Sequence, residues 1–169
     1  MDINVAQLLR EPVGSTRDFQ VDETIDITGE GEKERVQGRC DMLRTQRSIL
    51  VKCNLNSELG LMCSRCLSRF RHPVKIKFNE EFFPSLDIQT GTPLQAPEEP
   101  GVFTIDEQHT LDITEAVRQY ALLEIPIKTL CKKDCAGLCP TCGKNLNQGK
   151  CDCPPDDSDP RWSKLADLK

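Results

Sequence analysis

Six of the ten cysteines in this 169-residue chain fall between Cys131 and Cys153, in the run CKKDCAGLCPTCGKNLNQGKCDC. Thiolates at that density, in a sequence with no sign of export, point to metal ligation rather than to disulfides, because a reducing compartment keeps unligated thiols free. Within the run, Cys139-Pro140-Thr141-Cys142-Gly143 reads as a zinc-knuckle turn. Two intervening residues bring both sulfurs round to one point, and Gly143 tolerates the positive φ that follows. Cys151 and Cys153 complete a set of four. Four soft sulfurs at ~2.3 Å around one ion make a closed tetrahedral site with no position for water, which is structural chemistry and not catalysis.

Cys131 and Cys135 then need two further ligands, and Cys63-Ser64-Arg65-Cys66 supplies them. The expectation is therefore two zinc ions per chain, the second held by Cys63, Cys66, Cys131 and Cys135 and clamping two distant parts of the sequence. Other choices of four among the six tail cysteines stay open, and four thiolates also suit an iron-sulfur cluster, though knuckle spacing favours zinc. Cys63-x-x-Cys66 has the spacing of a redox pair, but such a pair needs a helix N-terminus in a βαβ unit, and strand patterns flank this one. A zinc hydrolase would need an open coordination position and a carboxylate base. The two histidines, His72 and His109, sit in no ligand motif and are expected at the surface. Nothing in the residues calls for an enzyme.

The elements that must carry these cysteines are mostly strands. Phe19, Val21, Ile25 and Ile27 share one parity; Val36, Cys40 and Met42 alternate with Arg35, Gln37, Arg39 and Asp41. Ile49, Val51, Cys53 and Leu55 repeat the pattern with Leu50 as the exception, and Phe70, Val74, Ile76 and Phe78 alternate with Arg71, Lys75 and Lys77. Period-two alternation with tight connections predicts an antiparallel sheet or small barrel, dry on one face. Cys40 and Cys53 fall on the dry parity and read as small core residues, neither ligands nor nucleophiles. Cys63 and Cys66 sit instead at the tip between two strands.

Residues 84–101 hold four prolines and two glycines, which predicts a mobile loop. A short strand at Val102–Ile105 follows, and then a helix with Asp112 as cap, Glu115 three residues on, a stripe of Ile113, Ala116, Val117, Tyr120 and Ala121, and Pro126 as its end. At the C-terminus, Asp159-Pro160-Arg161-Trp162 predicts a last helix bearing Trp162, Leu165 and Ala166. The fold class is α+β: a mainly antiparallel sheet or small barrel with one packing helix over residues 1–126, and a Cys-rich zinc-binding tail over 127–169.

Asp2 stands where a signal peptide would be basic, and no stretch approaches the ~20 apolar residues of a membrane span; a cytoplasmic protein is the expectation. The net charge of -5 is unevenly spread. Residues 32–78 carry eleven basic and four acidic side chains, whereas 79–115 carry nine acids and no Lys or Arg. Such a basic block is either a nucleic-acid footprint or the solvated face of a sheet.

Taken together, several elements resemble the YceD family of bacterial and plastid proteins. They are the Cys63-Ser64-Arg65-Cys66-Leu67 turn, the helix running into Leu122-Leu123-Glu124-Ile125-Pro126-Ile127, the Cys131 to Cys135 pair, the run from Gly137 to Asn147, Cys151-Asp152-Cys153, and Asp159-Pro160-Arg161-Trp162. The resemblance implies a role in ribosome biogenesis, in processing or accumulation of large-subunit ribosomal RNA. Candidate RNA-facing residues are Arg65, Arg69, Arg71, Lys75 and Lys77 around the first turn, with Lys132, Lys133, Lys144 and Lys150 on the tail. The alternative is an adaptor that meets a ribosomal protein or processing factor through Glu98, Glu99, Asp106 and Glu107, or through the Trp162 helix, without touching RNA.

Overall fold

The computed structural model describes residues 1–29, 31–98 and 100–154. Glu30, Glu99 and residues 155–169, which hold the helix expected at Trp162, lie outside the described residues. The chain forms two compact units: Met1–Leu61 with Arg71–Ile127, and Met62–Phe70 with the chain from Lys128 onward. Residues 62–70, on the connection between two strands, thus group with the tail.

The first unit is built on a seven-stranded sheet. Its strands are β1 (Asp2–Asn4), β2 (Thr16–Ile25), β3 (Glu34–Arg44), β4 (Ile49–Met62), β5 (Arg69–Pro84), β6 (Phe103–Ile105) and β7 (Thr110–Asp112). The spatial order is β1-β7-β6-β5-β4-β3-β2. β2, β3 and β4 pair antiparallel, as the alternation predicts, with Val21 opposite Gly38 and Leu55 on its other side. Leu50, the break in the pattern, faces Leu43 across the β3–β4 ladder. β6 instead lies parallel to β5, pairing Phe82 with Phe103. β1 returns to β7 with Ile3 opposite Leu111, a pairing too short to leave a periodic signal.

The dry parity becomes the core. Val36, Met42, Ile49, Val51, Leu55, Leu59, Val74, Ile76 and Phe78 are all buried, each contributing about 1.5–3 kcal/mol by leaving water. A charged side chain, Glu34, and a hydroxyl, Ser57, share that burial: Glu34 Oε2 accepts from the Ile27 N–H, and Ser57 Oγ donates to the Arg35 carbonyl. Gly38 is required by close approach, because a Cβ there would sit 2.3 Å from the Asn54 carbonyl oxygen.

Several expectations change. Cys40 and Cys53 are buried, but they are not free core thiols: they stand directly opposite one another in the β3–β4 register and are joined as a disulfide. Period-two alternation marks burial, not which residue lies across the ladder. His72 and His109 are half-buried, not surface residues. Asp112 ends β7, and the helix α2 runs Thr114–Leu123 after Ile113. The Asp112 carboxylate receives the Thr114 N–H at 2.8 Å and the Thr114 hydroxyl just before the helix starts. A further helix, α1 (Ala6–Arg10), occupies the apolar N-terminal stretch and buries Leu8 and Leu9.

Ala116, Val117 and Ala121 of α2 are buried against the core, while Tyr120 stacks on Phe78 with ring centroids 5.1 Å apart. The Tyr120 hydroxyl donates to Glu80, and that bond to an anion raises its pKa. In the Pro-rich stretch the chain turns back on itself, pairing Leu86 with Pro93 and donating from Leu94 N to Ser85 O.

Candidate metal centres

Each Cys-x-x-Cys pair sits in the same backbone turn. In the first, Cys63 N donates to Ser68 O at 3.0 Å and Leu67 N returns to Cys63 O at 3.0 Å. In the second, Cys139 N donates to Lys144 O and Gly143 N to Cys139 O, both at 2.9 Å. The turn needs a left-handed residue after its second cysteine: Gly143 supplies it at φ 72°, and Leu67 adopts it at φ 55°.

The eight cysteines read as ligands fall into two groups. The sulfurs of Cys63, Cys66, Cys131 and Cys135 lie within 4.8 Å of one another, and so do those of Cys139, Cys142, Cys151 and Cys153. In the first group Cys63 and Cys135 are 3.8 Å apart and Cys66 and Cys131 3.6 Å. A tetrahedron with 2.3 Å metal–sulfur bonds has an edge of ~3.8 Å, so these spacings fit a single ion. Cys63, Cys66 and Cys135 are buried with Phe70, Leu130 and Leu138 packed around them. The second group is more open, with Cys139 buried, Cys151 and Cys153 half-buried and Cys142 exposed.

The electrostatics of the bare sulfurs ask for a cation. Backbone N–H groups of Cys131, Cys66 and Arg65 lower the Cys63 thiol to about 6, and those of Cys142 and Thr141 lower Cys139 to about 6. Ser68, through its hydroxyl and its N–H, lowers Cys66. Burial and the neighbouring sulfurs push Cys131 up to about 12, while Cys142 and burial push Cys153 to about 12. Part of each group is thus prepared as thiolate, and the remainder is held back by its neighbours' charge. A divalent ion removes that conflict, because its charge favours every thiolate at once. With four sulfurs and, among the described residues, no other ligand in either group, each would hold zinc as a closed structural site through all four of its cysteines.

The surroundings fix the ligands. Ser64 N and Oγ both donate to Thr129 O, at 2.8 and 2.9 Å, and Thr129 Oγ1 donates to Met62 O at 2.8 Å. Arg65, read as RNA-facing, donates from Nη1 to Cys135 O at 2.9 Å. The residue missed in the sequence is Asn147. Its Nδ2 lies 3.3 Å from Cys135 Sγ and 2.9 Å from Asn145 Oδ1, while its Oδ1 accepts from Ala136 N at 3.0 Å. Asn145 in turn reaches Ser68 Oγ at 3.3 Å. The Asn-x-Asn spacing carried the signal, but uncharged amides between knuckle cysteines look like ordinary turn residues.

Of the remaining basic candidates, Arg69, Arg71, Lys75 and Lys77 are exposed at alternate positions of β5. Lys132, Lys133, Lys144 and Lys150 are exposed on the tail, with Lys144 Nζ donating to Lys150 O. Arg71, Lys75 and Lys77 belong to the first unit, and Arg65, Arg69 and the four tail lysines to the second.

A family model described as "Large ribosomal RNA subunit accumulation protein YceD" matches residues 51–169, which include both cysteine groups. The chain belongs to the YceD family. A chloroplastic protein of Arabidopsis thaliana named as a homolog of the large ribosomal RNA subunit accumulation protein is 38% identical over 63 residues, 37% of this chain and 20% of its own. An uncharacterized protein of Mycobacterium tuberculosis is 35% identical over 107 residues, 63% of this chain and 48% of its own. One of Mycobacterium leprae is 30% identical over 123 residues, 71% and 52% respectively. This YceD-family chain thus spans about half the length of the mycobacterial relatives it matches. No solved structure matches it. Among the described residues, no helix is long and apolar enough to cross a membrane.

Proposed function

We propose that this chain is a non-enzymatic zinc protein that supports processing or accumulation of large-subunit ribosomal RNA by binding RNA. The observation that carries the reading is the family match over residues 51–169, whose description names that RNA. Two all-sulfur ligand sets speak for structural metals and against a hydrolytic centre.

The RNA-facing surface in this reading is β5. On β2 and β3, Arg17, Arg35 and Arg39 are matched by acids: Arg17 Nη2 lies 2.6 Å from Glu11, Arg35 Nε 2.7 Å from Asp22, and Arg39 Nε 2.8 Å from Asp41. Among the described residues no ion pair engages Arg71, Lys75 or Lys77, which project with Arg69 from one face of a single strand. Within each pair, Arg69 with Arg71 and Lys75 with Lys77, the cations stand about 6.6–6.8 Å apart along the strand, with Pro73 between the pairs, and such a spacing suits a phosphate backbone. The exposed lysines of the tail unit, among them Lys132 and Lys133, add to the long-range field. Cytoplasmic location belongs to the same reading.

The test is RNA retention after charge reversal of Arg71, Lys75 and Lys77 together, with large-subunit ribosomal RNA as the probe. Binding should fall severely, and the slope of log affinity against log salt should shrink by about 0.7 for each phosphate no longer neutralised. An unchanged isotherm dismisses this surface. The adaptor reading is favoured instead if a ribosomal protein is retained equally after nuclease treatment.

A further inference from the structure

The metal groups lie in the second unit and leave part of the first unexplained. A cavity of about 650 Å³ opens between the Thr45–Ser48 turn, which joins β3 to β4, and the turned-back stretch after β5. That volume lies in the range of small-molecule sites, which pair an apolar wall with a few placed polar groups. Here Phe83, Leu86, Ile88 and Leu94 supply the wall, and Arg44 and Arg47 supply the charge.

Arg44 is held in place by its backbone, whose N–H donates to Ser15 O and whose carbonyl accepts from Gly14 N, both at 2.9 Å. Its side chain makes no hydrogen bond among the described residues, though the Asp87 pKa, lowered by the Thr90 and Gln89 N–H groups, is lowered also by its charge. Arg44 Nε is buried with no hydrogen-bond partner, and no ion pair engages the guanidinium among the described residues. Nε itself is closed to a ligand, but among these residues no hydrogen bond engages the two Nη atoms either, and that edge of a guanidinium is suited to a bidentate pair with a planar anion. The Asp87 carboxylate also lines the cavity, but Gln89 N, Thr90 N and Thr90 Oγ1 already bond its Oδ1 at 2.9, 2.8 and 3.0 Å. Two arginines against one aspartate leave a single net positive charge.

We propose that this cavity is a binding site for a monocarboxylate on an apolar body, with Arg44 as the carboxylate's partner and Leu86, Ile88 and Leu94 against the apolar part. A dianionic phosphate would exceed the charge available. Either a free small acid or the C-terminal carboxylate of a peptide has this chemistry, and neither depends on the RNA reading.

Calorimetric titration of the full chain tests it with four probes: hexanoate, hexanol, a tetrapeptide ending in leucine, and the same peptide amidated. Hexanoate binding about tenfold or more tighter than hexanol supports a free acid. The free peptide binding by the same margin over its amide supports a chain terminus. Arg44→Gln should remove that margin, and so should Leu94→Glu, a change at a side chain 43% exposed that leaves the core untouched. The second variant decides if the first fails to fold. The proposal is overturned if neither acid binds, if acid and neutral probes bind alike, or if folded variants bind as the parent does.

Discussion

Leu67 stands in the first metal turn where Gly143 stands in the second, with the same pair of hydrogen bonds around each and a left-handed backbone at both. A leucine in that region is strained by roughly 1–2 kcal/mol, and this one leaves 58% of its surface exposed. The turn survives because the Cys63–Ser68 and Leu67–Cys63 backbone bonds and the two sulfurs that precede Leu67 over-determine it.

Replacing Leu67 with glycine should therefore leave zinc content unchanged and thermal stability within about 1 kcal/mol, since relief of strain offsets added freedom in the unfolded chain. The converse change, Gly143→Val, should weaken metal retention in the second group only. Zinc per chain against rising chelator concentration reads both.

Serine for cysteine should separate the two centres. Cys139→Ser is expected to lower zinc from two ions to one and to unfold the outer part of the tail, while Cys63→Ser removes the other ion. Loss of both ions in either variant would contradict independent sites. Zinc binding of this kind contributes on the order of 10 kcal/mol, so full chelation should unfold the tail unit; a brown protein with visible absorbance would replace zinc by an iron-sulfur cluster.

Asn147→Ala removes the amide beside Cys135 Sγ. Outer partners of metal ligands typically change affinity 10- to 100-fold, and the loss should fall on the Cys63 group although Asn147 lies in the sequence of the other. Competition with a zinc indicator measures it.

Asp112 carries a pH dependence in the sheet unit. Burial raises its pKa, but the Thr114 hydroxyl and N–H and the N-terminal amine outweigh it, so the folded value lies below the ordinary carboxylate value. Its contribution to stability is thus fully present above pH ~4 and is lost as pH falls below that through the folded value. Asp112→Asn should flatten this acid limb in urea titrations of the metal-free chain, followed through its single tyrosine, Tyr120.

At Gly38, alanine would bring Cβ to 2.3 Å from Asn54 O at a φ of 153°. The expected cost is about 1–3 kcal/mol, a fall in melting temperature of roughly 2–4 °C per kcal/mol for a chain of this size.

The sheet's long strands were legible because burial on one face imposes a period of two that side chains must obey. The α2 stripe from Ala116 to Ala121 was legible for the analogous helical reason. What the residues could not announce was partnership across the sheet. Cys40 and Cys53 meet because of the β3–β4 register, which the hairpin turn sets, and β6 runs parallel to β5 because of a connection with no local period. The metal-turn spacings were readable as chemistry, since sulfur count and Cys-x-x-Cys spacing are themselves the constraint. Asn147 and Arg44 were not, because their roles lie in what they fail or manage to bond within three dimensions.

The first sulfur group joins cysteines 72 and 65 positions apart. At 5–20 residues per second of translation, Cys63 and Cys66 emerge roughly 3–14 s before their partners exist. During that interval the nascent chain presents a bare dithiol to whatever oxidant or metal is nearby. Newly made molecules are therefore most vulnerable in the seconds before Cys131 and Cys135 arrive, and cells short of zinc should accumulate chains whose sheet has matured while the tail has not.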